Sequence, residues 1–296
     1  MSFKEITLAD RKWMEPLLKA SDFRGCDYTF ANLFLWKEQY REMVCEYSGM
    51  LCARCQEPGT GEYVYMYPAG KGDLKASVEF MLQDAASRGD KLYLRGFTPG
   101  EGRLLEELFP GRFLIESHRE EWDYIYSVEN LTSLAGKKYH GKRNHISRFL
   151  DTGDWSYEPL TRENMEACRR MSDMWYEEHV NAGNTAVQRD RDIVENAFEY
   201  FEELGLTGGV LYQFGQVVAF TIGEPLNSDT YVVHVEKAFA DVQGAYPMIN
   251  QEYVTREMQE YQYVNREEDD GIEGLRRAKE SYYPVMMVEK CVAIEK

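Results

Sequence analysis

The sequence predicts an α+β protein built from two domains of similar size. Its 296 residues exceed the roughly 100–200 residues of one ordinary domain and suit two. A hydrophobic fraction of 44%, with 14 Phe, 21 Tyr and 5 Trp, is enough to form a buried core in each half, which excludes a disordered chain. Each half follows the order strand, helix, helix, hairpin, strand, helix and strand, so the second domain resembles a diverged copy of the first.

The first half begins with a short strand and continues into alternating helices and strands. Hydrophobic periodicity separates the two types, and Pro58-Gly59-Thr60-Gly61 marks a hairpin turn. Strands are predicted at 4–10, 42–55, 62–67, 91–96 and within 113–128, and helices at 11–20, 28–40, 73–87 and 102–109.

The second half repeats this order with clearer boundaries. Thr161 is a favoured N-cap residue type for one helix, and Pro247 suits the first position of another. Strands are predicted at 155–159, 209–213, 216–223, 230–236, 262–265 and 284–294, and helices at 162–179, 191–204, 247–260 and 272–282.

The charge of the chain is unevenly distributed. Residues 150–296 carry 13 basic and 29 acidic side chains, whereas residues 1–149 are nearly balanced, and the whole chain has a net charge of −17. Such a chain repels nucleic acid on average, so a phosphate-rich partner must be met at a local basic patch. One such patch lies between Glu129 and Asp151, where no acidic residue occurs.

Several protein classes are excluded or disfavoured. No apolar run approaches the ~18–20 residues that span a bilayer, and the N-terminus lacks the apolar stretch of a secretory signal, so we expect a cytoplasmic protein without a transmembrane segment. The six cysteines suit buried, reduced thiols. Cys52 and Cys55 have CxxC spacing, but no second pair completes a zinc site, so no metal is predicted.

Two segments carry a family resemblance, at 134–149 (LAGKKYHGKRNHISRF) and 264–279 (VNREEDDGIEGLRRAK). Together with the element order, they resemble proteins similar to the C-terminal domain of phosphatidylglycerol lysyltransferase. These are tandem GNAT (acyl-CoA N-acyltransferase-like) proteins related to the Fem-type aminoacyltransferases of peptidoglycan synthesis. The resemblance covers nearly the whole chain. It implies GNAT-like domains at 1–130 and 151–296, joined by a basic linker helix at 131–150.

The resemblance also implies an activity, which is acyl transfer. Family members with a known role use aminoacyl-tRNA as donor, so aminoacyl transfer to an amine or hydroxyl acceptor is the leading interpretation. The acceptor class stays open among a small molecule, a peptide and a lipid headgroup. Two alternatives also stay open: an N-acetyltransferase that uses acetyl-coenzyme A, and a non-catalytic binding protein with the same fold.

The strand at 230–236 carries the candidate general base. Strict alternation places Val232, His234 and Glu236 on one face of the strand. Two polar groups on one face of a central strand suit a cleft, in which Glu236 or His234 accepts the proton of the attacking group. The alternative is a strand end that emerges into solvent.

The segment after that strand is where GNAT enzymes hold the coenzyme A pyrophosphate on backbone N–H groups. Gly244 and the helix start are kept here, but Asp241 and Tyr246 replace the residue types of the usual loop. A carboxylate repels a pyrophosphate, which weighs against coenzyme A. We expect Gln243, Gly244, Ala245 and Tyr246 to contact the donor instead, with backbone groups holding its carbonyl.

By resemblance to GNAT enzymes, Asn265 lines the acyl site and Tyr282 or Tyr283 acts as the general acid. Adjacent tyrosines point in different directions, so one of them should face the cleft and the other should pack elsewhere; Tyr282 is favoured. The intervening run at 266–271 has four acids. It predicts a solvated loop, or else Glu267 or Asp269 binds the cationic amine of an aminoacyl group or an acceptor.

The basic segment at 137–148 also has two interpretations. Its cations, Lys137, Lys138, Lys142, Arg143 and Arg148, are either counterions for the acidic second domain or a binding edge for a polyanion such as tRNA. No RNA-recognition aromatic motif lies beside them, so contacts to phosphate are expected rather than base-specific contacts.

Overall fold

The computed structural model describes residues 2–179 and 185–296, which form two mixed β-sheets of seven strands each, flanked by helices. The predicted α+β class with two sheet domains is therefore confirmed. With strands numbered in chain order, the first sheet runs β1 (Lys4–Glu5), β2 (Met43–Tyr47), β3 (Met50–Gln56), β4 (Tyr63–Gly70), β5 (Tyr93–Phe97), β14 (Cys291–Glu295) and β6 (Phe113–Ser117). The second sheet runs β13 (Met286–Val288), β7 (Asp123–Ser127), β12 (Tyr263–Asn265), β11 (Thr230–Ala238), β10 (Gln216–Pro225), β9 (Thr207–Gln213) and β8 (Trp155–Pro159).

Helices connect these strands in both halves of the chain. In the described residues they are α1 (Arg11–Ser21), α2 (Phe30–Leu35), α3 (Lys37–Tyr40), α4 (Leu74–Ser87), α5 (Pro99–Leu108), α6 (Val128–Ser133), α7 (His140–Leu150), α8 (Arg162–His179), α9 (Thr185–Glu199), α10 (Ala245–Glu257) and α11 (Glu273–Glu280). None of these helices is both long enough and apolar enough to cross a bilayer. The six cysteines are all buried and unpaired, as their sequence context predicts.

Two helix boundaries differ from the predictions in a way that affects the site. Helix α10 begins at Ala245, so Pro247 lies within its first turn instead of opening it. Helix α11 ends at Glu280, so Tyr282 and Tyr283 follow the helix and do not belong to its last turn. Tyr283 has a φ of 54°, and this left-handed residue turns the chain toward β13.

The two sheets exchange strands between the sequence halves. Strand β7 comes from the first half but pairs with β12 and β13 in the second sheet. Strand β14 comes from the second half but lies between β5 and β6 in the first sheet. The stretch 284–294, predicted as one strand, is therefore two strands in different sheets. The expected limits 1–130 and 151–296 describe halves of the sequence, and the sheets do not follow them.

A shared core joins the halves. Buried side chains of α1 and α2 pack in one cluster with those of α8, α9 and the second sheet. The rings of Phe34 and Tyr200 meet edge to face at 5.0 Å, and Phe198 packs on Phe220 at 5.2 Å. Complete burial of a Phe side chain contributes about 1.5–3 kcal/mol, so this cluster stabilises the contact between the two halves.

The second sheet opens at its centre. Strands β11 and β12 run parallel, but their pairing stops at Val232 and Asn265. Strand β12 ends there, whereas β11 continues to Ala238. The last residues of β11 thus have no neighbouring strand on that side, and the loop after β12 diverges from them. This divergence forms the cleft in which the candidate site lies.

Candidate active site

The predicted polar pair of β11 lies in this cleft. Across the opening, the Arg266 Nη2 atom donates to Glu236 Oε1 at 2.8 Å, and His234 Nδ1 lies 2.8 Å from Glu267 Oε1. Both partners belong to the loop that follows β12. Neither side chain emerges from a strand end into solvent. The predicted shared face is wrong, because the register between β10 and β11 shifts opposite His234 and this β-bulge interrupts the alternation. Glu236 therefore faces α10 with Val233, whereas His234 faces Glu224 on the side of Val235.

His234 is held between two carboxylates. Its Nε2 atom is 3.1 Å from Glu224 Oε1, opposite the contact with Glu267. Burial alone would lower the pKa of His234, but the hydrogen bonds to Glu224 and Glu267 outweigh it and raise that pKa to about 10. The ring is therefore an imidazolium at neutral pH and has no lone pair with which to accept a proton, unlike the base that the sequence suggested.

Four side chains from separate segments form one group, which we call the Glu236 cluster: Lys142, Glu236, Arg266 and Tyr282. The Lys142 nitrogen lies 3.6 Å from the centre of the Tyr282 ring, and the Arg266 guanidinium lies 4.7 Å from the same ring. Asn250 of α10 donates to Glu236 Oε2 at 3.1 Å. The linker helix, β11, the loop after β12 and the segment after α11 thus each supply one member.

The environment of the cluster changes the proton affinity of its members. Burial and the neighbouring Arg266 cation lower the pKa of Lys142 to about 8, although Glu236 opposes the shift. Burial raises the pKa of Tyr282 above its usual value, so its hydroxyl stays protonated. Within the described part of the chain, the Arg266 Nη1 atom is buried without a hydrogen-bond partner, and an unpaired buried donor is costly unless a ligand completes it. The cluster thus holds an amine that titrates near neutrality, a protonated hydroxyl and an unused cationic donor.

The two candidate tyrosines have different environments. Tyr282 is 5% exposed, whereas Tyr283 is 44% exposed and its ring meets Tyr139 edge to face at 5.5 Å. Lys138 lies 5.3 Å from the centre of the Tyr283 ring. Tyr283 therefore belongs to the surface beside the linker, and Tyr282 is the one that joins the Glu236 cluster.

Most of the acidic run at 266–271 is held by contacts within the protein, although Asp270 is exposed. Asp269 is completely buried and accepts two hydrogen bonds from Arg276 at 2.8 and 2.9 Å and one from the Tyr124 hydroxyl at 2.6 Å. The hydrogen bonds from Arg276 hold the pKa of Asp269 well below its usual range. Its carboxylate is fully used within the protein, so Asp269 has no free oxygen for the amine of a substrate.

Asn265 is also fully used. Its amide nitrogen donates to the Arg24 carbonyl and to Asp123, both at 2.8 Å, and its oxygen accepts the Glu267 N–H at 2.7 Å. The residue is completely buried. It therefore fixes the turn that carries Arg266 and Glu267 into the cleft, instead of lining the acyl site itself.

A cluster near Asn265 has the composition of a metal site but is filled by a lysine. Cys26, Asp123 and Glu268 direct their ligand atoms to one point. The Lys290 ammonium lies there, 2.7 Å from Asp123, 3.1 Å from Glu268 and 3.3 Å from the Cys26 sulfur. Lys290 follows β13 and precedes β14, so this buried ion pair marks the place where the chain passes between the sheets.

The loop at 241–244 is covered by the linker helix. Gly244 has a φ of 90°, and a Cβ atom at this position would lie 2.2 Å from the His145 carbonyl oxygen of α7. The Ala245 N–H donates to the Val242 carbonyl at 3.1 Å, so it is already used within the turn. Tyr246 is partly buried against the neighbouring core. Helix α7 thus packs directly against this loop, and the Ala245 N–H is not free to bind an anion.

The five cations of the basic segment have separate roles. Arg143 donates to the Leu134 and Gly136 carbonyls and so closes the linker turn, and Lys142 enters the Glu236 cluster. Lys137, Lys138 and Arg148 are exposed. Within residues 2–179 and 185–296, none of the five forms an ion pair with an acidic side chain. The structure therefore does not support the interpretation in which these five cations are counterions for the acidic second half.

Sequence reasoning misses two residues of this site. In the sequence, Arg266 belongs to a lengthened loop, and Asn250 lies in a helix with no distinguishing pattern. Arg266 could have been found from its position, because it directly follows Asn265, the strand end that the family resemblance associates with the site. No local pattern points to Asn250, because its role depends on how α10 packs beside β11.

Comparisons with known proteins agree with this architecture. The family model for the phosphatidylglycerol lysyltransferase C-terminal region matches residues 18–294. A conserved protein of unknown function from Bacteroides thetaiotaomicron is 39% identical, with a TM-score of 0.95 over 100% of both chains. An uncharacterised protein of Mycoplasmoides gallisepticum is 19% identical over 177 residues, and the match spans 58% of this chain and 56% of that protein.

More distant solved structures share the fold. The C-terminal domain of a putative lysylphosphatidylglycerol synthetase from Agrobacterium fabrum is 14% identical, with a TM-score of 0.68 over 98% of this chain and 93% of that one. FemX is 10% identical, with a TM-score of 0.64 over 100% of this chain and 98% of its own. The predicted fold, two tandem GNAT-like domains, and the predicted resemblance are thereby confirmed.

Proposed function

Because the chain belongs to the family of phosphatidylglycerol lysyltransferase C-terminal domains, we propose that it is an acyltransferase of the GNAT-like type. More specifically, it transfers an aminoacyl group from aminoacyl-tRNA to an amine or hydroxyl acceptor. One observation carries the proposal: Lys142, Glu236 and Tyr282 come from three separate segments and meet at the Arg266 guanidinium, whose buried Nη1 atom has no hydrogen-bond partner among the described residues. These are the groups that an acyl transfer requires.

The reaction forms one bond and breaks one at the donor carbonyl carbon. The acceptor nitrogen or oxygen attacks that carbon and releases its proton, and the ester bond to the tRNA ribose oxygen then breaks. Lys142 in its neutral form accepts the acceptor proton, because a pKa of about 8 leaves part of its population deprotonated near neutral pH. The Tyr282 hydroxyl donates a proton to the departing ribose oxygen. The lysine then returns its proton to the tyrosine, so the site ends in its starting state.

Arg266 stabilises the charge that develops on the carbonyl oxygen. Its Nη2 atom is fixed by Glu236, which leaves the buried Nη1 atom oriented and free to donate. A preorganised cationic donor of this kind typically contributes about 10²–10³-fold to the rate. This assignment replaces the backbone of residues 243–245 as the carbonyl-binding group, because the linker helix packs on that turn.

Glu236 and His234 are positioning residues in this proposal. Glu236 accepts hydrogen bonds from both Arg266 and Asn250, which weakens it as a base and makes it the anchor of the guanidinium. His234 holds Glu267 and thereby the turn that carries Arg266. Tyr283 lies outside the chemical step.

The basic segment supports a donor carried by a polyanion. Lys137, Lys138 and Arg148 are exposed and lack acidic partners among the described residues, and Lys142 of the same segment reaches the cluster. A phosphate backbone bound along this helix would therefore bring its terminal acyl ester close to Lys142. Phosphate contacts give affinity without base-specific readout, which agrees with the lack of an RNA-recognition motif.

The test follows the loss of the aminoacyl ester. Total tRNA charged with labelled amino acids is incubated with the protein and with one acceptor at a time: a small amine, a short peptide or phosphatidylglycerol vesicles. Mass spectrometry of the labelled product identifies the transferred group and the acceptor. Tyr282→Phe should lower turnover at least about tenfold, whereas the matched Tyr283→Phe change should leave turnover unchanged.

Two results would contradict the proposal. One is the absence of any ester loss above uncatalysed hydrolysis with all three acceptors. The other is transfer with acetyl-coenzyme A in place of charged tRNA, which would favour the N-acetyltransferase. Binding of charged tRNA without turnover would leave the non-catalytic binding protein as the better interpretation.

A further inference from the structure

A second cavity lies between the two halves, and Glu267, the partner of His234, is one of its lining residues. It has a volume of about 170 Å³ and is bounded by the first sheet, α3 and the acidic loop after β12. One water needs roughly 10–15 Å³ by the same measure, so the space suits a small organic molecule and not just one or two waters. We call it the Glu42 cavity, after its most buried carboxylate.

The cations that line the Glu42 cavity already have acidic partners. Arg54 pairs with Asp84 at 2.8 Å, and Arg95 pairs with Glu57 at 3.2 Å. Neither Asp84 nor Glu57 faces the cavity. These two ion pairs therefore reach outside the cavity, although Arg95 also faces Glu42 across it.

The acids of the lining are only partly neutralised. Asp27 and Glu268 share the Lys290 ammonium, and Glu267 pairs with His234. Glu42 and Asp270 have no ion-pair partner in the part of the chain that the structure describes. The cavity therefore has two carboxyl groups without an ion-pair partner among the described residues: Glu42, which is buried and faced by Arg95, and Asp270, which is exposed to solvent.

Glu42 is the more informative of the two. It is 5% exposed, and the charged or titratable groups facing it are Cys55, Asp27, Glu57 and Arg95. Burial raises the pKa of Glu42 to about 8, and Asp27 adds to the shift while Arg95 opposes it. A buried carboxyl group is costly to ionise without a cation, so the empty cavity favours its protonated form.

The remaining walls suit an organic cation. Trp36 and Tyr40 both line the space, and their rings meet edge to face at 5.4 Å. Aromatic faces attract ammonium groups, whereas a metal ion would require several oxygen or nitrogen ligands in a fixed geometry. We propose that the Glu42 cavity binds the ammonium group of a small organic amine, with Glu42 and Asp270 as its anionic partners and Trp36 and Tyr40 as its walls. This site is separate from the Glu236 cluster, and its occupation does not depend on acyl transfer.

The experiment is a calorimetric titration of the protein with n-butylamine, with n-butanol as the neutral control of the same shape. The amine should bind and the alcohol should not. Binding should strengthen between about pH 6 and pH 8.5, because Glu42 and Asp270 ionise over this range while the amine stays charged. Ionisation of Glu42 on binding releases a proton, so the measured heat should differ between phosphate and Tris buffers.

Variants locate the site. Glu42→Gln should weaken butylamine binding about tenfold or more, since a hydrogen bond to a charged group is lost, and Asp270→Asn should weaken it as well. The matched control Glu46→Gln changes an exposed residue of β2 and should leave binding unchanged. If circular dichroism shows that Glu42→Gln does not fold, the binding of butylamine to Asp270→Asn and Trp36→Leu tests the site instead.

A second pair of ligands tests whether the bound ammonium group belongs to an amino acid or to a simple amine. L-lysine binding more tightly than both butylamine and its neutral counterpart L-norleucine would assign the ammonium to an amino acid, and equal affinity for lysine and butylamine would assign it to a simple amine. Both results support the proposal. No heat with butylamine or lysine at millimolar concentrations would overturn it, as would equal binding to the wild type and to the Glu42 and Asp270 variants.

Discussion

The Lys142 nitrogen lies 3.6 Å from the centre of the Tyr282 ring, which connects the linker helix to the segment after α11. The ring shields the amine from water on one side, and the Arg266 cation repels a second positive charge nearby. Both effects disfavour the ammonium form. The linker thereby contributes more than a connection between halves, because it places a titrating group inside the cleft of the second sheet.

This relationship predicts a pH-dependent rate. The pKa of Lys142 is lowered to about 8, so the fraction of neutral amine rises as the pH passes through that value. If the neutral amine is the base, turnover should increase between about pH 6.5 and pH 8.5 and then level off. Lys142→Arg should lower turnover about 10²-fold or more and remove this rise, since arginine stays protonated throughout.

Lys138→Arg is the matched control for this experiment, because Lys138 lies on the same segment but outside the cluster. Its pH profile should follow that of the wild type. A profile for Lys142→Arg that keeps the rise near pH 8 would assign the titration to another group.

His234 predicts a pH-dependent stability. Its pKa in the folded protein is raised to about 10, above the ordinary value of 6.5, so its ion pairs stabilise the fold fully below about pH 6.5. This contribution declines as the pH rises and is lost above about pH 10. His234→Gln should lower the free energy of unfolding by about 3 kcal/mol near pH 6, because Glu224 and Glu267 lose their shared cation.

Urea unfolding of His234→Gln and the wild type at several pH values measures the difference directly. The two curves should converge toward pH 10. His118→Gln changes a histidine that is less buried and should show no comparable pH-dependent loss. A penalty for His234→Gln that is constant over the whole range would contradict the assignment of an imidazolium.

Gly244 predicts a packing defect at the contact between the loop and the linker helix. A Cβ atom there would overlap the His145 carbonyl, whereas at Gly215, which also has positive φ, a Cβ atom would meet nothing within 4 Å. Both Ala variants share the cost of a left-handed residue. The additional clash should make Gly244→Ala less stable than Gly215→Ala by about 1–3 kcal/mol, measured by chemical denaturation.

Equal stability losses in the two glycine variants would show that the linker helix does not press on the loop. In that case the loop would be open to a pyrophosphate, and acetyl-coenzyme A should raise the melting temperature by binding to the native state. With the helix in place, we expect no such increase.

The exposed cations of the linker predict an effect on affinity and not on stability. Changing Lys137, Lys138 and Arg148 to Gln removes no ion pair found in the described residues, so the free energy of unfolding should change by less than about 0.5 kcal/mol. Affinity for charged tRNA should fall. The slope of log affinity against log salt should shrink by about 0.7–0.9 for each phosphate that the variant no longer binds.

A matched triple variant at Lys12, Lys71 and Lys75 removes the same charge from a different surface. It should retain the salt slope of the wild type, because a local patch and not the total charge binds the polyanion. If the linker variant kept the salt slope of the wild type but had a lower free energy of unfolding, the segment would have a structural role and would not bind the polyanion.

The sequence was informative where the relevant geometry is local. Adjacency required Tyr282 and Tyr283 to differ in exposure, and they do. Alternation along 230–236 predicted His234 and Glu236 on one face, but a β-bulge interrupts it, and the bulge depends on how β11 pairs with β10, which the strand's own sequence does not show. The family motifs predicted the fold of the whole chain.

Charged residues were harder to interpret, because their partners lie far away in the sequence. The acids of the loop after β12 have the composition of a solvated loop, yet Asp269 binds Arg276 and Tyr124, and Glu268 binds Lys290. Arg266 was identified as a site residue only from its contact with Glu236 in the structure. Burial of a charge is decided by tertiary pairing, and single-sequence patterns do not encode it.

The exchange of β7 and β14 also has a consequence for how the chain folds. The first sheet has a gap between β5 and β6 until Cys291–Glu295 arrives, so the N-terminal half cannot complete its hydrogen bonding during synthesis of its own residues. Contacts of such high sequence separation slow folding, since a long loop must close before they form. Cutting the chain near residue 150 should therefore yield two fragments that fold together when mixed, and an N-terminal fragment that aggregates through its unpaired strand edges when alone.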